Sequence, residues 1–281
     1  MLDKRILFNV ITSAMQNGAD FAEVFVEDRK NTTLVYSDKK IENAVLGNDF
    51  GVGIRVIKDF NRVYAYTNDV SEKNLIKVAK DAALGLKSSS LNKVMDFTNK
   101  NIERNNTPIK IYPADIDLSK KRDIIKETHD TIMNYDDIIV QASTGYLDSD
   151  QMVQIANSEG LMASDRRVRT RLIQNAVASY CGEIQSAGSN PGAAMGFEFF
   201  DTIDINDVAK EAARIAVTMV KSPFAPSGVM PVIRDNAFGG VLFHEACGHG
   251  VEAEFVSKGS SVYAGKMGEK IASDLVTAID D

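Results

Sequence analysis

Cysteine is scarce in this 281-residue sequence, which has only Cys181 and Cys247. Two cysteines make no disulfide framework, so a reducing compartment is the expectation. Long apolar runs are missing as well. No stretch approaches ~18 uninterrupted apolar residues, so no membrane-spanning helix and no membrane partner are expected. Lys4-Arg5 followed by Ile6-Leu7-Phe8 has the start of a signal peptide, but Asn9, Thr12, Ser13, Gln16 and Asn17 interrupt it. No small-residue cleavage site follows. An excess of positive charge is also lacking. The net charge of −7 disfavours nucleic acid as a partner, although a local basic patch stays compatible with it.

What is present is a globular composition, 44% hydrophobic and 25% charged, sufficient for a sizeable core in one large or two smaller domains. Ile6, Leu7, Val10, Ile11, Ala14 and Met15 repeat at helical spacing and predict a helix over 3–17. Residues 22–27 alternate like a half-buried strand, 32–36 read as a second, and 51–57 with 62–67 read as a hairpin turning at 58–61. Ser71 is placed to cap a helix running to about residue 86, with Asn74 where a capping box would have Glu. Residues 88–108, rich in Ser, Asn, Thr and Lys, read as a linker or surface excursion. The order then repeats. A helix is expected over 118–135, strands at 138–142, 152–156, 161–175, 176–181 and 193–200, a loop or hairpin tip at 182–196, and a helix over 205–220.

The fold class that follows is α+β, a duplicated helix–antiparallel sheet–helix unit followed by an irregular metal-motif helix. The expected boundaries are 1–92 and 115–222 for the two subdomains, 93–114 for a linker and 223–281 for the motif segment. In that segment, 230–233 and 275–279 read as short strands, and Asp235 or Asn236 as a helix cap. A chain that stops just after a fresh strand is expected to be missing sequence.

Histidine is a further scarcity, with three in the chain. Two of them, His244 and His249, flank Glu245 in the short run His-Glu-Ala-Cys-Gly-His. Hydrolytic zinc sites need imidazole ligands, an open coordination position and a carboxylate to take a proton from water. Histidines four apart on an α-helix lie about 40° apart, but five apart they lie about 140° apart and diverge. One extra residue in the turn, a π-bulge, brings positions i and i+5 back to one face. An irregular helix between His244 and His249 is therefore expected, with Gly248 placed to tolerate the distortion. Glycines 239, 240, 248 and 250 cost a helix up to ~1 kcal/mol each, more than a purely structural helix would accept. Glu252 and Glu254 are within reach along the chain as a third ligand. His129, in the 118–135 helix, reads as a surface residue.

Residues 240–255, GVLFHEACGHGVEAEF, resemble the signature of the TldD/PmbA family of metallopeptidases. The segments 258–260 and 265–269, Ala22-Glu23 and 51–56 are similar to it too, so the resemblance spans essentially the whole chain. It is closest to the TldD branch, because PmbA-like partners generally lack the His-Glu-x-x-x-His residues. Ala253-Glu254 stands where the family usually has Gly-Asp. The resemblance implies a cytoplasmic zinc peptidase that cuts small or unfolded peptides, with His244 and His249 as Zn2+ ligands and Glu245 as catalytic acid/base. It implies a third ligand, a cysteine of a C-terminal domain, that neither Cys181 nor Cys247 matches. That ligand is expected outside this chain, which by itself should be weakly active or inactive. It also implies a homodimer or a heterodimer with a PmbA-like chain.

Two other readings compete. A non-catalytic dimerisation and substrate-gating scaffold would use the sheet edges and need no metal. Cys247 acting as a nucleophile with His249 would leave Glu245 and His244 unexplained. Arg167, Arg169 and Arg171 alternate on an expected strand and line one face, either a solvated surface or a site for a peptide carboxylate or acidic partner.

Overall fold

The computed structural model describes residues 1–59, 61–86, 94–99 and 108–279. The chain forms two units, Met1–Pro223 and Phe224–Asp281.

In the first unit, helix α1 (Lys4–Ala14) starts where the Asp3 carboxylate accepts the Arg5 N–H at 2.8 Å. Its apolar stripe, Leu7, Val10, Ile11 and Ala14, is fully buried. Strands β1 (Phe21–Ser37), β2 (Lys40–Lys58) and β3 (Asn61–Thr67) follow, then α2 (Glu72–Leu84). Ser71 occupies the cap position of α2, but its hydroxyl makes no cap bond. Asn74 instead donates to Thr67 Oγ1 and the Asp69 carbonyl, each at 3.0 Å, so the capping box is not formed.

The stretch between the halves is only partly described. Residues 93 and 100–107 of the expected linker, like Phe60 in the β2–β3 turn, lie outside the described residues. Phe97 is buried edge-on against Phe8, with centroids 6.0 Å apart, and Thr98–Asn99 forms the short β4. That part is therefore packed structure, not a surface excursion.

The second half supplies α3 (Leu118–Met133), β5 (Ile139–Asn157), β6 (Leu161–Tyr180), β7 (Glu183–Gly188), β8 (Gly192–Ala193) and α4 (Ile205–Lys221). All strands join one sheet in the order β3-β2-β1-β5-β6-β4, with β7 and β8 also on β6. The pairings are antiparallel except β4 with β6. The α+β class holds, and β1 against β5 is the seam between the halves.

Each long strand covers what the alternation divides in two. β1 runs through Asp28-Arg29-Lys30-Asn31, and β5 through Asp148 and Asp150. The charges do not break these strands, because both strands are paired on both sides and key charges find partners. Arg29 bonds Asp49 on β2 at 2.5 Å, Asp148 takes Lys121 Nζ at 2.6 Å, and Asp150 takes Arg166 at 2.6 Å.

The core residues of both halves lie on one face. Register sets Val24 beside Ile54 and Ala156, and Leu34 beside Tyr146, which faces Leu172. All six are buried under the helices. The opposite face is half-exposed. There Arg29, Asn31, Thr33, Leu147, Ser149, Arg169 and Arg171 surround a cavity of about 310 Å3.

Three expectations for the first unit change. His129 is buried, not on the surface; the α3 stripe is Lys121, Ile125, Thr128, His129 and Ile132, and its ring stands edge-on to Tyr36 at 4.9 Å. Residues 193–200 are not a strand beyond Ala193. Phe197–Asp201 is a 3-10 turn whose aromatics pack on Tyr146. The 182–196 loop contains β7, reached by a tight turn with Cys181 at φ 51° and Gly182 at φ 88°.

The second unit is short helical turns and irregular chain. Residues 230–233 and 275–279 form no strand, since neither finds a partner strand among the described residues. Val232, Ile233, Leu275 and Ile279 are exposed. None of residues 224–235 and 239–279 is buried. Among the described residues no helix is long and apolar enough to cross a membrane.

Candidate metal centre

The motif sits on a helical path that changes pitch and breaks at Glu252, before its last short helix. Helix α5 (Asn236–Phe243) gives way to one π turn over His244–Gly248, then a 3-10 turn over His249–Val251 and a short α6 (Ala253–Ser257). The distortion expected from the five-residue spacing is thus present as a π turn. It brings the two imidazoles together, with ring centroids 4.5 Å apart and planes at 72°. Gly248 does not explain it. Its backbone is ordinary right-handed helix, φ −57° and ψ −52°, and a Cβ there would only touch His244 Nδ1 at 3.7 Å.

Ligand atoms of His244, Glu245 and His249 all lie within 4.8 Å of one another. Among the described residues this is the one grouping of His, Cys, Asp and Glu with that spacing. Two imidazoles and a carboxylate converging on one point fit a zinc-type ion. Glu245 Oε2 is 3.6 Å from His249 Nε2.

Glu252 and Glu254 do not join the group. Glu254 pairs with Lys258 at 2.6 Å. Glu252 Oε1 lies 2.5 Å from the other ring nitrogen of His249, Nδ1. The hydrogen bond to Glu252, aided by the charges of Glu245 and Glu252, outweighs desolvation and raises the His249 pKa. The backbone leaves the helix at Glu252 with φ −58° and ψ 130°, and that exit folds the carboxylate back onto the imidazole. Spacing three apart brings the two residues near each other on a helix, but does not say which ring nitrogen the carboxylate meets.

A second feature escapes sequence reasoning. Ser261 donates to the Gly250 carbonyl, and the Tyr263 ring lies over Gly250 so closely that a Cβ there would be 2.5 Å from it. The neighbouring Cys247 thiol raises the Tyr263 pKa. The loop after α6 is thereby pinned to the π turn, and Cys247 has a neighbour other than the histidines. His129 belongs to the first unit's core and takes no part in this grouping.

Comparison with known proteins agrees with the motif. Residues 22–84 match PmbA/TldA metallopeptidase domain 1, 111–220 match the PmbA/TldA metallopeptidase central domain, and 227–281 match the PmbA/TldA metallopeptidase C-terminal domain. The chain belongs to the TldD/PmbA family. Among its TldD/PmbA relatives, a metalloprotease of Methanothermobacter thermautotrophicus is 29% identical over 276 residues, 95% of this chain and 58% of the relative. A metalloprotease TldD homolog of Haemophilus influenzae is 27% identical over 290 residues, 100% of this chain and 59% of the relative. The chain thus spans somewhat under three fifths of the length of these relatives. TldE from Thermococcus kodakarensis superposes with a TM-score of 0.64 at 16% identity, over 95% of this chain and 60% of that one. A protein from Bacteroides thetaiotaomicron, described as a candidate modulator of DNA gyrase, superposes at 0.76 with 16% identity, over 96% and 62%. Both likenesses concern the fold.

Proposed function

We propose that this chain is part of a zinc-dependent metallopeptidase of the TldD type, acting on small or unfolded peptides. The observation that carries the reading is the π turn that gathers His244, Glu245 and His249 within 4.8 Å. On this reading His244 and His249 hold Zn2+ through ring nitrogens, and a third ligand comes from polypeptide outside these residues. Bound zinc supplies Lewis acidity toward a peptide carbonyl and an attacking water. Glu245 takes the proton from that water at its carboxylate and returns it to the departing amine. Residues 1–92 and 115–222 form two subdomains joined at 93–114, and 223–281 carries the motif. The cytoplasm is the proposed compartment, and a homodimer or a heterodimer with a PmbA-like chain is the proposed assembly.

Glu245→Gln tests the role of the acid/base. The variant is expected to keep its zinc, measured by elemental analysis, while losing peptide hydrolysis in the assembled protein by at least the ~100-fold that general acid–base catalysis contributes. Retained hydrolysis would remove Glu245 from the mechanism. A protein without stoichiometric zinc, whose peptide cleavage chelators leave unchanged, would end the metallopeptidase reading; one with neither zinc nor peptide cleavage would leave the non-catalytic scaffold.

A further inference from the structure

We propose that Glu252 is a positioning residue that holds His249 in the tautomer whose Nε2 is free to bind a metal. The inference rests on the metal-centre reading above and adds a residue outside the His-Glu-x-x-x-His motif.

The geometry is asymmetric around one ring. Glu252 Oε1 is 2.5 Å from His249 Nδ1, a hydrogen-bonding distance, whereas Glu245 Oε2 stands 3.6 Å from Nε2, beyond one. A carboxylate only accepts, so the shared proton belongs to Nδ1. In the neutral ring this leaves the lone pair on Nε2, the nitrogen on the side of Glu245. A free imidazole in water does not hold this tautomer by itself; the second hydrogen bond selects it. Orientation of a ligating histidine by a carboxylate on its other nitrogen also makes the ligand more basic.

The backbone makes Glu252 suited to this and to little else. It ends the 3-10 turn, its N–H reaching the His249 carbonyl at 3.4 Å, and its own carbonyl accepts the Val256 N–H at 3.1 Å. It therefore occupies the N-cap position of α6, where a short acidic side chain would bond the free N–H groups of the first turn. Glu252 makes no such cap bond. Its carboxylate turns away from those donors and toward His249. Glu252 is not a third ligand in this arrangement, because its carboxylate sits at Nδ1 and is not among the ligand atoms of His244, Glu245 and His249 that lie within 4.8 Å of one another.

The test uses the chain as it stands, zinc chloride as the probe, and two readouts. Only three histidines are present, so long-range proton–nitrogen spectra, taken at a pH where the rings are neutral, resolve each tautomer. Wild type is expected to show His249 protonated on Nδ1. Glu252→Ala should shift it toward the Nε2–H form and weaken zinc binding, read by competition with a chelator, by about 10–100-fold. Glu252→Gln should restore most of both, since its amide oxygen can accept the same N–H. His249 protonated on Nε2 in wild type, or an alanine variant with tautomer and affinity unchanged, overturns the proposal. A Glu252-dependent Nδ1–H tautomer in this chain, together with no zinc in the assembled protein that also holds the third ligand, would overturn the metallopeptidase reading instead, and leave the orienting role of Glu252 in place.

Discussion

Lys121 is the most consequential single charge in the first unit. Its side chain is 4% exposed, its Nζ lies 2.6 Å from Asp148 and 3.3 Å from Thr32 Oγ1, and it stands over the Tyr146 ring at 5.1 Å. Asp148 also accepts the Thr32 N–H at 3.2 Å. Removing one partner strands the other in the core. Lys121→Ala is therefore expected to cost about 3–5 kcal/mol in urea unfolding, and pairing Lys121→Met with Asp148→Leu to recover most of it. A second buried carboxylate behaves differently. Burial pushes the Glu198 pKa up, but the backbone N–H groups of Lys110, Glu198, Ile111 and Gly196 outweigh burial and bring it below the ordinary 4.5. A lowered folded pKa gives stability that is complete above the unfolded value and lost as pH falls through the folded one. Glu198→Gln should cost about 1–3 kcal/mol near neutral pH. That difference from wild type should shrink as acid unfolding curves are taken below pH 4.5. Neither group is legible in the sequence. Lys121 reads as one of many exposed helix lysines, and the donors to Glu198 include Lys110 and Ile111, which lie 87 or more residues away.

At the scale of elements, the π turn is the part that spacing alone reveals. Two histidines five apart flanking a glutamate have no shared face on a regular helix, so the spacing by itself demands an extra residue in the turn. Deleting Ala246 should convert the π turn to α-helix with the histidines four apart, and keep zinc binding. Inserting one alanine there should send the imidazoles to different faces and abolish binding. Isothermal titration with zinc separates the two outcomes. The strands are legible only in pieces. Alternation identifies 22–27 and 32–36, but the charged centre of β1 hides their union, because the neighbour that satisfies Arg29, Asp49, comes from another strand. Residues 193–200 mislead in the opposite sense. Phe197, Phe199 and Phe200 favour a strand locally, while tertiary packing on Tyr146 and the demand of Glu198 for backbone donors impose a 3-10 turn. Glu252 is within reach in the sequence as a ligand candidate, but its contact with His249 Nδ1 depends on where the helix stops.

At the scale of the whole molecule, the two units differ in kind. The first buries a core on one face of an eight-stranded sheet. The second leaves Phe224, Ile233, Met267 and Leu275 each at least 88% exposed. Protection against hydrogen exchange should follow that division. Amides of β1, β5 and β6 are expected to exchange only with global unfolding, and those of 224–279 orders of magnitude faster. Slow exchange across 236–257 in the isolated chain would contradict this. The metal motif thus sits on the unit with the least packing of its own.

The central place of β1 bears on how the chain is made. Its pairing with β2 closes over residues close in sequence, but its other edge waits for β5, with Glu23 opposite Asn157. During synthesis the first half therefore emerges with a seventeen-residue strand half satisfied. Its row of free N–H and C=O groups stays open to any passing strand until more than a hundred further residues have been added. The mid-strand charges Asp28, Arg29 and Lys30 then do a second job, as sentries against mispairing on that edge before its rightful neighbour arrives.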